Sequence, residues 1–83
     1  MPFYYLHPDI GMNFQMNRVL TYGEQAGCLK DIAAIAAKIH DFESWHMEWL
    51  NLAQHAEQER RYLRAAYGYR MAEFFLTESG QKK

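Results

Sequence analysis

One run of residues constrains this chain more than any other. Phe42, Trp45, Trp49, Ala53, Ala56, Arg60, Leu63, Tyr67, Met71 and Phe74 follow one another at steps of three or four. Such spacing places them along one stripe of an α-helix, and only Arg60 breaks its apolar character. No proline lies between Asp41 and Ser79, and Gly68 is the sole glycine of that interval. A glycine inside a helix costs about 1 kcal/mol relative to alanine, which weakens a helix without ending it. Asp41 suits the N-cap, Glu43 complements the dipole in the first turn, and Glu57 and Arg61 form a favourable i, i+4 pair. The pattern predicts one helix over 42–77, about 54 Å long at 1.5 Å per residue. Its alternative is two helices with a kink near Gln58.

Two shorter helices precede it. Met12, Met16, Val19 and Leu20 share a face, with Gly23 in the stop position, so a helix is expected over 12–22. After the connection Gly23–Gly27, a second helix is expected over 26–40. Its stripe is Cys28, Ile32, Ile35 and Ile39, flanked by Ala33, Ala34, Ala36 and Ala37. Residues 1–11 read as an apolar arm, Phe3-Tyr4-Tyr5-Leu6 closed by His7-Pro8, because proline disfavours helix at the residue before it. Residues 78–83 read as a disordered tail. The expected fold class is all-α, a single domain.

Length then bears on function. A chain of 83 residues buries only about 60–65% of the surface its unfolded form exposes. A 15-residue helix covers about 22 Å, too little to shield a rod more than twice as long. Aromatic residues make up 16% of the chain, a large apolar payload to leave uncovered. Uncovered apolar stripes mark interfaces, and a two-fold dimer would bury the same stripe on both copies. The expected interface is Phe42, Trp45, Trp49, Leu63, Tyr67, Met71 and Phe74, in a homo-oligomer for which a dimer is the simplest form.

Several chemistries find little support. The formal net charge is −1 with acids and bases interspersed, which argues against nucleic acid and anionic membranes as partners. No apolar run reaches the about 20 residues of a membrane span, and no basic-then-apolar leader opens the chain, so a cytoplasmic setting is expected. Cys28 is the only cysteine, which rules out an intrachain disulfide and reads as a small apolar residue. Glu43-Ser44-Trp45-His46 has the Glu-x-x-His spacing of di-iron bundles, but those need a second motif and two more carboxylates. His46 and His55 are nine apart, off any one-face metal spacing, and His7 and His40 read as boundary residues. Arg60, Arg61, Arg64 and Arg70 interleave with Tyr62, Tyr67 and Tyr69, yet Glu57, Glu59 and Glu73 neutralise the run. Ser44 and Ser79 are the only serines, and neither sits in a nucleophile elbow. No catalytic residue, cofactor or metal site is expected.

Three segments carry a family resemblance. They are Phe14-Gln15-Met16-Asn17-Arg18, Asp41-Phe42-Glu43-Ser44-Trp45 with Trp49, and the run from Tyr62-Leu63-Arg64-Ala65-Ala66-Tyr67 through Leu76. In that order they resemble the N-terminal helical region of α/β-hydrolases of the esterase and 2,6-dihydroxypseudooxynicotine hydrolase type. The resemblance implies a helical cap module, with a separate hydrolase domain as partner. The catalytic domain has no counterpart here, so no hydrolase site is transferred. Family members also have a turn and further residues between the tryptophan helix and the Tyr-Leu-Arg-Ala-Ala helix, making an antiparallel pair. The shortened connection here implies fusion of that pair into a rod whose contacts a second chain restores, a domain-swap-like dimer.

Overall fold

The computed structural model describes residues 3–81, with side chains described through Phe75. It is all-helical: α1 (Ile10–Leu20), α2 (Leu29–Ala36), α3 (Phe42–Gln58) and α4 (Tyr62–Gln81). Among the described residues there is no strand. The arm over residues 3–8 is irregular and leads into α1, while Met1 and Pro2 lie outside the described residues.

The single helix expected over 42–77 is corrected to two. Helix α3 ends in a tight turn at Glu59–Arg61, and α4 folds back along it as an antiparallel hairpin. Two bonds close the turn: Arg60 N–H donates to the Glu57 carbonyl at 3.0 Å, and Arg61 N–H to the Ala56 carbonyl at 2.9 Å. Together they make a Schellman motif, which places its C′ residue in the left-handed region. That residue is Arg60, at φ 63°. Glycine usually fills this position, and its absence is why the helical pattern reads straight through the turn.

Once the chain turns, the phase of the stripe resets. The inward residues of α4 are Ala65, Gly68, Met71 and Ala72, and they meet Trp45, Trp49, Ala53 and Ala56 of α3. Small residues set the spacing. A Cβ built on Gly68 would lie 2.8 Å from Ala53 Cβ and 3.1 Å from its Cα. Backbone approach this close is open only to glycine here. Further along, Trp45 Nε1–H donates to the Met71 carbonyl at 2.5 Å, and His46 Nδ1 bonds the Ala72 carbonyl at 2.9 Å. At the hairpin's open end the Phe42 and Phe75 rings stack at 4.8 Å.

Helix α3 starts with a capping box. Ser44 N–H donates to Asp41 Oδ1 at 2.8 Å, and Ser44 Oγ accepts from Asp41 N–H at 3.0 Å. The Ser44 hydroxyl, then its backbone N–H, hold the Asp41 carboxyl below the usual aspartate range.

The first two helices complete the core. Met12, Met16 and Val19 of α1 and Ile32, Ile35 and Ala36 of α2 join Ile39, Trp45, Trp49, Met71 and Ala72 in one buried cluster. Helix α2 is shorter than the expected 26–40. Ala26 and Gly27 belong to the preceding turn, and a Cβ on Gly27 would fall 2.8 Å from Val19 Cγ1. At the other end the N–H groups of Lys38 and Ile39 bond three residues back, tightening the last turn before the chain leaves the helix. Helix α1 begins two residues before the expected 12, where Asp9 caps it through the Met12 N–H at 2.9 Å. The tail expected at 78–83 overlaps α4, which runs to Gln81, and residues 82 and 83 lie outside the described residues.

Two substitutions separate the hairpin from a rod by the sign of their effect. Arg60→Gly relieves the left-handed backbone and should raise stability by about 1 kcal/mol, or about 4–8 °C in Tm. In a continuous helix the same change would cost about 1 kcal/mol. Gly68→Ala should destabilise by about 1–3 kcal/mol because its Cβ collides with Ala53, whereas on a free helix face it would stabilise. Thermal denaturation reads both.

Candidate interaction surface

The residues expected to form an interface divide into three groups. Trp45 and Trp49, 0% and 2% exposed, lie with Met71 inside the chain's own core. Tyr67 and Phe74 are half-buried, the first stacked on Tyr22 at 4.9 Å, the second edge-on to Phe75 at 4.9 Å. Phe42 and Leu63 are exposed but sit at opposite ends of the hairpin, Phe42 opening α3 and Leu63 in the first turn of α4. These seven therefore do not form one surface. The turn at Glu59–Arg61 turns most of the stripe inward.

Large apolar residues are exposed on several elements, Met47 of α3 and Tyr62 of α4 among them, and four of them fall on the arm and α1. Two buried asparagines one helical turn apart, Asn13 and Asn17, join the arm to the helix. Tyr4 N–H donates to Asn17 Oδ1 at 2.7 Å, and Asn17 Nδ2 donates back to the Tyr4 carbonyl at 2.8 Å. The amide thus pairs with the arm as a neighbouring strand would. Asn13 Oδ1 accepts from Leu6 N–H at 2.6 Å and His7 N–H at 3.0 Å. Asn17 Nδ2 also reaches the Asn13 carbonyl at 2.9 Å. His7 locks the far end. Its Nδ1 accepts from Asp9 N–H at 3.0 Å, so Nε2 carries the proton and donates to the Ile39 carbonyl at 2.6 Å.

An extended arm held along one edge alternates its side chains. Tyr4 and Leu6 are half-buried, while Phe3 and Tyr5 face out. On α1, the positions next to Asn13 and Asn17 on the side away from the core are Ile10 and Phe14. Both are exposed, Ile10 at 85%, and Tyr5 is exposed at 80%. Four large apolar side chains thus lie along one side of the molecule. The sequence signals were the unbroken aromatic run Phe3-Tyr4-Tyr5 before Leu6 and the i, i+4 asparagines. The second is invisible to apolar periodicity, because it uses polar residues for burial.

Other singled-out residues have local roles. His46 turns Nδ1 toward the Ala72 carbonyl on α4, while Glu43, on the same helix as His46, is exposed. Among the described residues no group of three or more His, Cys, Asp or Glu is placed to hold a metal ion. His55 Nε2 meets Glu59 at 3.1 Å and His40 Nδ1 meets Asp41 at 3.6 Å, both at the surface. Cys28 is half-buried at the N-cap of α2. Arg61 pairs with Glu59 at 3.2 Å, and Arg64 reaches Asp31 at 3.6 Å and the Glu24 carbonyl at 2.6 Å. Tyr69 donates its hydroxyl to Glu57 at 2.6 Å, and that bond pushes the phenol's pKa up.

Two hollows remain. A shallow one beside the α3–α4 turn is lined by Glu24, Gln25 and residues Arg61–Arg64. A narrower cleft of about 270 Å³ runs between α1 and α4, with Arg18, Tyr22, Tyr67, Arg70 and Phe74 in its walls and Val19 and Met71 at its floor. No helix among the described residues is long and apolar enough to cross a membrane.

The arm's attachment is testable. Asn17→Asp sets a carboxylate oxygen against the carbonyls of Tyr4 and Asn13 in place of a donor. Stability should fall by at least about 2 kcal/mol, and the Tyr4 and Leu6 amides should lose protection in hydrogen exchange. Unchanged protection would show that the arm does not depend on Asn17.

No protein-family model, curated protein or solved structure matches the chain.

Proposed function

We propose that this chain is a non-catalytic helical interaction module that self-associates through the arm and α1. The observation that carries the reading is the row Phe3, Tyr5, Ile10 and Phe14, each more than half exposed on one side of a fold that buries its tryptophans completely. Scattered apolar residues on a surface need no explanation, whereas a contiguous row marks a contact. A two-fold axis through such a row apposes the same residues on both copies, the simplest way to remove it from water. In this arrangement each subunit keeps its own hairpin, so no segment is exchanged.

A second reading is a cap module that docks the same face on a separate α/β-hydrolase domain. Its support is the hairpin: α3 and α4 pack the tryptophan segment against the Tyr-Leu-Arg-Ala-Ala segment, the antiparallel pairing that the resemblance implies.

Light scattering across a concentration series decides between them. Self-association predicts a mass approaching twice the 9.8 kDa chain, with Ile10→Ser/Phe14→Ser returning it to one chain at an unchanged helical circular-dichroism spectrum. A mass that stays at one chain throughout rejects the dimer. Binding of that monomer to a hydrolase domain encoded beside it, lost in the same double variant, would then establish the cap.

A further inference from the structure

The cleft between α1 and α4 has a composition that neither reading of the interaction surface uses. Two arginines stand over an apolar, aromatic floor. Arg18 comes from the last turn of α1 and Arg70 from the middle of α4. Neither meets a carboxylate among the described residues, whereas Arg61 in the turn before α4 and Arg64 in its first turn both do. Among the described residues Arg18 donates to Tyr22 Oη and Gln15 Oε1, each at 3.4 Å. Bonds of that length are at the weak limit and exchange readily for a charged acceptor.

Below the guanidinium groups the cleft is flat-walled. Tyr22 and Tyr67 stack at 4.9 Å with 20° between their planes, and Met71 and Phe74 continue the apolar lining. Two cations in one cleft, neither paired with a carboxylate among the described residues, repel each other, and a single anion between them removes that repulsion. Guanidinium binds carboxylate in a planar, two-bond fork. The volume, about 270 Å³, lies just under the about 300–1,000 Å³ of pockets that hold drug-sized ligands. One ring or a fused pair fits that space.

We infer that this cleft binds a small aromatic carboxylate, its ring against Tyr22, Tyr67 and Phe74 and its carboxylate between Arg18 and Arg70. The site shares no lining residue with the proposed self-association surface, although Arg18 follows Phe14 by one helical turn. Arg18 and Tyr22 lie toward the opposite end of α1 from Ile10 and face α4, while Ile10 and Phe14 flank the arm.

The test is a titration of the full chain with indole-3-acetate, followed by amide chemical shifts, with neutral indole-3-acetamide as the comparison. Saturable shifts should be confined to residues around 18–22 and 67–74. The neutral amide should bind at least about tenfold more weakly, the loss expected when a charge-assisted pair is removed. Arg18→Gln/Arg70→Gln should weaken the acid by at least the same factor at unchanged Tm, since both side chains are exposed. Ile10→Ser/Phe14→Ser should bind it as the parent does, whatever becomes of the dimer. Absence of saturable shifts into the millimolar range, equal affinity for acid and amide, or undiminished binding in the double-arginine variant would each overturn the site.

Discussion

The close approach of α3 and α4 at Ala53 and Gly68 is the contact on which the rest of the molecule rests. Helices that pack this tightly must carry small residues at the crossing, and alanines at 53, 56, 65 and 72 extend the contact in both directions. Close packing brings the α4 backbone within reach of Trp45, whose indole N–H bonds the Met71 carbonyl. It thereby turns two large rings into a platform. Met16, Val19, Ile32 and Ile35 then share that one core with the tryptophans. Trp49 differs from Trp45 in that its buried Nε1 has no acceptor among the described residues. An unpaired buried donor costs about 1–3 kcal/mol, so Trp49 contributes through ring area against that cost.

Helix identity was legible from apolar period, and topology was not. The stripes of Met12, Met16 and Val19, and of Ile32, Ile35 and Ile39, are buried as their spacing implies. Asp41 caps α3 as its position suggests. The turn at Glu59–Arg61 was foreseen only as a kink near Gln58 in the alternative reading, because its signal is a backbone dihedral. Arg60 occupies a left-handed conformation that sequence statistics assign to glycine, and the charged run Glu57–Arg61 is equally at home on a helix face. One missed turn then reversed the reading of the interface, since folding back buries Trp45, Trp49 and Met71 within a single chain. Gly68 was weighed as a defect in a helix and is instead the residue that permits the hairpin.

Polar residues shape the outer surface as decisively as apolar ones shape the core. Asn13 and Asn17 occupy buried positions on α1 because the arm offers them peptide groups to bond. Pairing consumes the hydrogen-bonding capacity of the arm's inner edge, so Tyr4 and Leu6 turn inward and Phe3 and Tyr5 are left outside. Helix α1 consequently has three distinct sides: a core side, a side bearing the arm with its apolar row, and a side facing α4 across the arginine cleft. Contact with another polypeptide and capture of a small anion would use different sides of one eleven-residue helix.

The three-residue turn between α3 and α4 also sets an order of events as the chain leaves the ribosome. Contacts local in sequence form fastest, because little loop entropy must be surrendered to make them. The hairpin is a tertiary unit of residues near one another in sequence, and it is synthesised after the arm, α1 and α2. The arm and α1 emerge before it, yet their buried faces are completed by residues at 45, 49 and 71, and His7 bonds a carbonyl at position 39. The apolar faces of residues 3–39 therefore stay open until α3 and α4 have been made and closed on each other. Translation speed and chaperone access over residues 3–39 would then govern the yield of folded chains more than any feature of the hairpin itself.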